Sequence, residues 1–156
     1  MSGKTRCSIP QLGPYRWIDF TDAAHKSYKH FESWIRGLPP AAQDDLRGQL
    51  AARENLARLG RLPKGATKYV EPVREFPGLV ELKWDFYEPH TEKKREIRQY
   101  HGEPTSPKDV LVRLHRHVKR THGFLRRVIK QLQVAEFDAA DRRFDAWCEI
   151  TEGARR

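Results

Sequence analysis

VLVRLHRHVKRTH (110–122) places aliphatic side chains at alternate positions and puts cations and imidazoles between them. Successive side chains of a β-strand point to opposite faces of a sheet, so this pattern predicts a strand. The buried face of this strand is expected to hold Val110, Val112, Leu114 and Val118. The side chains expected on the opposite face are Arg113, His115, His117 and Lys119.

Two upstream segments, GLVELKW (78–84) and KREIRQY (94–100), show the same alternation. Together with 110–119 they predict a three-stranded meander with one face covered by helices and the other face open. The side chains expected on the covered face are Val80, Leu82, Trp84, Ile97, Val110, Val112, Leu114 and Val118. The polar side chains expected together on the open face are Glu81, Lys83, Glu96, Arg98, Tyr100, Arg113, His115, His117 and Lys119.

The flanking segments complete the predicted fold. YRWIDF (15–20) is typical of a first strand, and two helical patterns around 24–35 and 40–60, separated by GLPP (37–40), indicate a helical hairpin. Residues 124–152 lack Pro and Gly and predict a C-terminal helix, either continuous or broken near Gln133. We therefore expect an α+β fold. About four antiparallel strands would carry an N-terminal helical hairpin and a C-terminal helix on one face of the sheet. The chain is expected to form a single domain over 1–156, in which residues 1–14 could be flexible.

The net charge of +9 is concentrated in the middle of the chain, since residues 61–130 carry seventeen Lys/Arg against nine Asp/Glu. Such an excess attracts polyanions, although a cation-rich surface can also serve solubility alone. Cys7 and Cys148 form no disulfide framework and suit a reducing compartment. No apolar run approaches membrane-spanning length. These features predict a cytoplasmic protein with no membrane partner.

The open face combines the side chains that metal-free cleavage of RNA requires. Either His115 or His117 is expected to act as acid and the other as base, because imidazoles titrate near neutrality. Arg98 and Lys119 are expected to stabilise the negative charge of the phosphorane. Tyr100 is expected to stack on a base or to orient the 2′-hydroxyl. These five residues, together with Lys83, are the predicted catalytic set.

Further cations are expected to bind the RNA backbone. Lys64 and Lys68 lie in the basic connecting segment 61–78, and Arg113 and Arg120 belong to the last predicted strand or follow it. Salt-sensitive phosphate contacts of this kind give affinity without sequence preference.

A metal site is the competing interpretation of the histidine-rich strand. His115-x-His117 could ligate zinc with His101, His122 or Cys148. Only one His-x-His fixes any ligand spacing, so we expect neither a metal nor a cofactor.

The ordered series of local sequences resembles the RelE/HigB-like toxin superfamily, its phage-derived branch in particular, over residues 28–148. The segments that carry the resemblance are FESWIRGLPPAAQDDLRGQLAARENLARLG (31–60), LPKGATKYVEPVREFPGLVELKW (62–84), IRQYHGEP (97–104), LVRLHRHVKRT (111–121) and FDAADRRFDAW (137–147). Lys83 takes the family's basic position after the "GL-x-EL" strand, where arginine is commoner. Arg98 with Tyr100, His115, and Lys119 with Arg120 match the later motifs, whereas RTHGF (120–124) departs from the usual "K-T-P".

The resemblance implies the toxin of a type II toxin–antitoxin pair. Such toxins typically enter the ribosomal A site and cut mRNA without a metal. An antitoxin, often carrying a helix-turn-helix, holds them inactive, and the complex binds the operator DNA. Two alternatives stay open from the sequence: a ParE-like, non-catalytic inhibitor of DNA gyrase, and a basic module that binds nucleic acid or an antitoxin without enzymatic activity.

Overall fold

A computed structural model describes residues 5–10, 13–20, 25–63, 69–89, 93–119 and 125–155. Within these ranges a short 3-10 helix (Arg6–Ser8) precedes the regular elements. They are β1 (Arg16–Asp19), α1 (His25–Arg36), α2 (Pro40–Arg58), β2 (Val70–Pro72), β3 (Leu79–Tyr87), β4 (Lys94–Gly102), β5 (Val110–Lys119) and α3 (Arg126–Thr151). Lys64, Lys68 and Arg120, three of the cations predicted to bind RNA, lie outside the described residues.

The strands form one mixed sheet in the order β1-β5-β4-β3-β2. β3, β4 and β5 make the predicted antiparallel meander, and β2 extends it beside β3. β1, in contrast, pairs parallel with β5. The fold is therefore α+β, but the predicted four antiparallel strands behind an N-terminal helical hairpin are wrong. Parallel neighbours need a long crossover, and α1 and α2 lie within the connection from β1 to β5.

Helices cover both faces of the sheet, so the predicted open face is wrong. On one face, here called the helix-pair face, α1 and α2 pack on Val80, Leu82, Trp84, Phe86, Ile97 and Leu111. On the other, the α3 face, α3 packs on Leu79, Tyr100, Val110, Val112 and Leu114. The physical reason is the apolar stripe of α3, which must also be buried against a sheet.

A β-bulge divides β5 into two halves. Tyr100 pairs with His115, whereas the next residue of β4, His101, pairs with Arg113. Leu114 is therefore an extra residue in β5, and the alternation of faces shifts by one position there.

The bulge changes which side chains of β5 share a face. Val110, Val112 and Leu114 contact α3 before the bulge, and the imidazoles follow on the same side after it. Val118 and Arg113 lie on the helix-pair face. The predictions that the four aliphatic residues share one face and that Arg113 joins the imidazoles are both wrong, because strict alternation does not continue through a bulge.

α3 is continuous over 26 residues, which decides between one helix and two. Its buried side chains, Ala140, Phe144, Trp147 and Cys148, belong to its C-terminal half. The N-terminal half is mostly exposed or half-buried and forms the wall of a cleft described below. Among the described residues, no helix is both long enough and apolar enough to cross a lipid bilayer.

Candidate active-site cleft

A cleft of about 830 Å³ lies beside the C-terminal half of β5. β1 pairs only with Val110–Arg113, so within the described ranges no strand covers the outer edge of β5 after the bulge. The cleft is lined by α1 (Ser27, His30, Phe31, Trp34), the sheet (Arg95, Arg98, Tyr100, His115, Arg116, His117, Val118, Lys119) and α3 (Ile129, Leu132, Gln133, Glu136). The lining holds four Arg/Lys side chains and one carboxylate, and each cation also forms an ion pair: Arg95 with Glu88, Arg98 with Glu81, Arg116 with Glu54 and Lys119 with Glu96.

The register of β3, β4 and β5 sets the polar side chains of the α3 face in three rows. The rows are Glu81–Tyr100–His115, Lys83–Arg98–His117 and Asp85–Glu96–Lys119. Paired residues of neighbouring strands point to the same face, so all three rows face α3. Six residues singled out from the sequence are thereby brought together: Lys83, Arg98, Tyr100, His115, His117 and Lys119.

Tyr100 is the platform on which both imidazoles stack. Its ring centroid lies 5.8 Å from that of His115 and 5.7 Å from that of His117, at interplanar angles of 16° and 21°. The Tyr100 hydroxyl lies 3.3 Å from His117 Nε2. Burial and the negative charges of Glu81 and Glu136 raise the pKa of Tyr100, so its hydroxyl keeps its proton. We call Tyr100, His115, His117 and Glu136 the cleft cluster.

Both ring nitrogens of His115 have partners on α3. Arg143 Nη1 contacts Nδ1, and Glu136 Oε2 contacts Nε2. Arginine can only donate, so Nδ1 accepts and the proton of the neutral ring belongs on Nε2, where it is donated to Glu136. Burial opposes ionisation of Glu136, but the hydrogen bond from His115 and the charges of both imidazoles and Arg143 outweigh it and lower the pKa of this carboxyl.

His117 is in a different electrostatic setting from His115. Burial lowers the pKa of His117 to about 4, with the charges of His115 and Arg98 acting in the same direction and Glu136 opposing them. His117 is therefore neutral at pH 7 and has a nitrogen lone pair that can accept a proton. Two neighbouring imidazoles, one of them with a free lone pair, supply the two side chains that proton transfer in both directions needs.

The cations of the α3 face already have carboxylate partners. Arg98 Nε lies 3.0 Å from Glu81 Oε1, and its guanidinium is also 3.6 Å from Glu96. Lys83 Nζ lies 2.6 Å from Glu71. Lys119 Nζ is 3.7 Å from Glu96, and its side chain is 23% exposed against 9% for Arg98. Lys119 can therefore reach a ligand directly, whereas Arg98 acts on the cleft mainly through its charge.

Arg113 is the described site residue that the structure separates from the others. On the helix-pair face its Nε donates to Glu54 Oε2 over 2.8 Å, and its Nη1 donates to Asp19. Its guanidinium also lies 4.8 Å from the centroid of the Trp17 ring. These contacts join β5 to β1 and α2, so Arg113 is a structural cation here and not part of the cleft.

Glu136 and Arg143 were missed in the sequence because they lie on a helix expected only to cover the core. A signal was present, since the two residues are seven apart and border the stripe of Phe137, Ala140 and Phe144. Residues seven apart share a helix face, which here is the face turned to the sheet.

Comparison of the chain with protein-family models, with curated proteins and with solved structures finds no match. The function is therefore inferred from the residues of the cleft and from the resemblance of the sequence.

Proposed function

We propose that this protein cleaves RNA without a metal, as the toxin of a type II toxin–antitoxin pair that acts on mRNA at the ribosome. The observation that supports this best is the pair of imidazoles stacked on Tyr100 inside a cationic cleft. The two rings have different surroundings: burial keeps His117 neutral, whereas His115 donates its Nε2 proton to Glu136.

In the proposed reaction the 2′-hydroxyl of RNA attacks the adjacent phosphorus and loses its proton to His117. The P–O5′ bond breaks, and the 5′-oxygen takes the Nε2 proton of His115. For this step His115 must be an imidazolium, protonated also on Nδ1 after Arg143 has released that nitrogen, so that it is left as a neutral imidazole. The products are a 2′,3′-cyclic phosphate and a 5′-hydroxyl, so no water and no metal enters this step. A positioned base and acid of this kind each contribute roughly a hundredfold to ten-thousandfold to the rate.

Negative charge on the phosphorane would be stabilised by the cations around the imidazoles. Lys119 has the exposure to contact a phosphate oxygen, and Arg98 lies in the next row of the same face. Preorganised positive charge where negative charge develops is often the largest single contribution to catalysis. Lys119 is therefore proposed as the phosphate contact, with Arg98 as the buried charge behind it.

Glu136 must release the His115 ring during the reaction. Its carboxylate holds the Nε2 proton of His115 in the free protein, so the leaving oxygen has to take its place. α3 carries Glu136 in its more exposed half, so the proposed exchange would take place at the wall of the cleft.

Growth after induced expression, with transcripts mapped by primer extension, tests the proposal. Wild-type protein is expected to arrest growth and to leave discrete 5′ ends within translated regions. His117→Gln should abolish both effects at equal protein level. Lys108→Ala, which removes an exposed cation before β5, is the matched control and should behave like wild type.

Supercoiling by purified gyrase separates the ParE-like alternative from this proposal. Growth arrest that survives His117→Gln, together with loss of supercoiling, would favour gyrase inhibition. A wild-type chain that neither arrests growth nor cuts transcripts would favour a binding module without activity.

The proposed partner is an antitoxin, following the resemblance to the RelE/HigB-like superfamily. The cationic cleft is the surface that such a partner would need to block, and acidic side chains suit it. Operator DNA would be bound only through the complex.

A further inference from the structure

A second cluster of metal-ligating side chains lies where the N-terminal segment meets the end of β4. It consists of Cys7, His101 and Glu103, here called the N-terminal cluster. Cys7 and His101 are completely buried, and the side chain of Glu103 is 9% exposed. Neither the proposed RNA cleavage nor the resemblance assigns a role to these three residues.

The three ligand atoms have the mutual distances of a tetrahedral zinc site. Cys7 Sγ lies 3.4 Å from His101 Nε2 and 3.6 Å from Glu103 Oε1, and His101 Nε2 lies 3.3 Å from Glu103 Oε1. Zinc bonds of about 2.3 Å to sulfur and about 2.0–2.1 Å to nitrogen and oxygen, at tetrahedral angles, set ligand atoms roughly 3.3–3.6 Å apart. The cluster therefore has the size that this ion requires.

Hydrogen bonds alone account poorly for this convergence. Glu103 Oε1 would have to accept from the Thr5 hydroxyl at 2.5 Å, the His101 ring and the Cys7 thiol, while the Arg6 backbone N–H donates mainly to Oε2 at 3.0 Å. One carboxylate oxygen offers about two lone pairs to these three donors. A cation that replaces the thiol proton and the imidazole proton removes the excess.

Charge also favours a divalent ion at this place. One thiolate and one carboxylate balance the two positive charges of zinc, so the buried site would be neutral overall. Soft sulfur with an imidazole is a donor set typical of zinc.

The cleft cluster is a less suitable metal site although it has two imidazoles and a carboxylate. The Arg143 guanidinium occupies Nδ1 of His115, and Glu136 contacts Nε2. A guanidinium beside a ligand opposes the binding of a second cation.

We propose that Cys7, His101 and Glu103 supply three ligands to one zinc ion, and that this ion fixes the N-terminal segment to the end of β4. Cys7 and His101 are separated by 94 residues, so the ion would join distant parts of the chain. The site is structural, since its protein ligands are buried and lie on the face opposite the imidazoles of the cleft.

Co²⁺ replacing zinc in the purified, metal-stripped full chain is the direct test. Wild type is expected to bind one equivalent and to show the visible d–d bands of tetrahedral Co²⁺ with a thiolate charge-transfer band. Cys7→Ser should lose the charge-transfer band. Its zinc affinity should fall by more than the roughly 10–100-fold that loss of an outer-shell partner costs. Cys148→Ser changes the other cysteine and should leave the spectrum intact.

Thermal unfolding is a second test that does not depend on Cys7→Ser, in case this variant folds poorly. Zinc should raise the melting temperature of metal-stripped wild type and of Cys148→Ser, and His101→Gln should lose most of this shift. The proposal would be overturned by wild type that binds no stoichiometric metal. It would also be overturned by metal binding that survives Cys7→Ser but is lost in His115→Gln.

Discussion

Two imidazole–carboxylate clusters lie on opposite faces of one sheet, a single step apart along β4. Tyr100 carries the cleft cluster on the α3 face, and the next residue, His101, belongs to the N-terminal cluster on the helix-pair face. The bulge in β5 lies between them, because the pairing shifts at this step. The same residue types therefore reach two different environments.

The difference between the clusters lies in what surrounds the imidazoles. In the cleft, Arg143 fixes the proton of His115, and burial keeps His117 neutral beside a cationic opening. In the N-terminal cluster, a thiol and a carboxylate converge on His101 at ligand distances. Histidine and glutamate alone do not determine function, and the neighbouring charges separate proton transfer from metal binding.

The largest expected effect separates the clusters by activity. His117→Gln should lower RNA cleavage by roughly a hundredfold to ten-thousandfold, because the base is lost. His101→Gln should leave cleavage per folded molecule unchanged. Both rates are measured on RNA bound to purified ribosomes, with folded protein quantified by circular dichroism. Equal losses in both variants would contradict the division of roles.

The next expected effect is on the free energy of unfolding, and it should depend on the N-terminal cluster alone. Free zinc at a hundred times its dissociation constant should add about 3 kcal/mol to the free energy of unfolding of wild type. Urea denaturation with and without zinc measures this difference. His117→Gln should respond as wild type does. A zinc effect that disappears in His117→Gln would instead assign the metal to the cleft.

Arg113 tests the placement of cations on the two faces of the sheet. Arg113→Ala should leave RNA cleavage unchanged, because this side chain is bound to Glu54 away from the cleft. It should lower the free energy of unfolding by about 1–3 kcal/mol, since the half-buried Glu54 loses a charged partner. Lys119→Ala should show the reverse, with weaker cleavage and near-normal stability. Strongly reduced cleavage in Arg113→Ala would contradict the observed register.

The smallest expected effect is a pH dependence of stability from His117. Its folded pKa of about 4 lies below the ordinary value of 6.5, so the unfolded chain binds more protons between these values. The stability from neutral His117 is complete above about pH 6.5 and is lost as pH falls toward 4. Urea midpoints at pH 7 and pH 5 should fall more in wild type than in His117→Gln. An equal fall of the urea midpoint in both proteins would show that folding does not lower the pKa of His117.

Much of the polar part of the α3 face could be predicted from alternation alone. The polar positions of β3, β4 and β5 recur every second residue, so the gathering of Lys83, Arg98, His117 and their row neighbours follows from pleating. The helical periods near α1, α2 and α3 likewise gave elements close to those observed.

Features that depend on distant parts of the chain could not be predicted from local patterns. The bulge at Leu114 has no glycine or other local marker, and it moves Arg113 to the opposite face. The parallel pairing of β1 with β5 and the contact of Glu136 with His115 depend on how the chain packs. Cys7 and His101 are too far apart in sequence for their spacing to indicate a site.

The end chemistry of the cleaved RNA tests the central claim most directly. Transcripts cut on ribosomes by wild-type protein are analysed for the groups at both new ends. Transfer of a proton to His117 and attack by the 2′-hydroxyl predict a 2′,3′-cyclic phosphate and a 5′-hydroxyl. A 3′-hydroxyl with a 5′-phosphate, or intact RNA, would contradict metal-free cleavage by the two imidazoles.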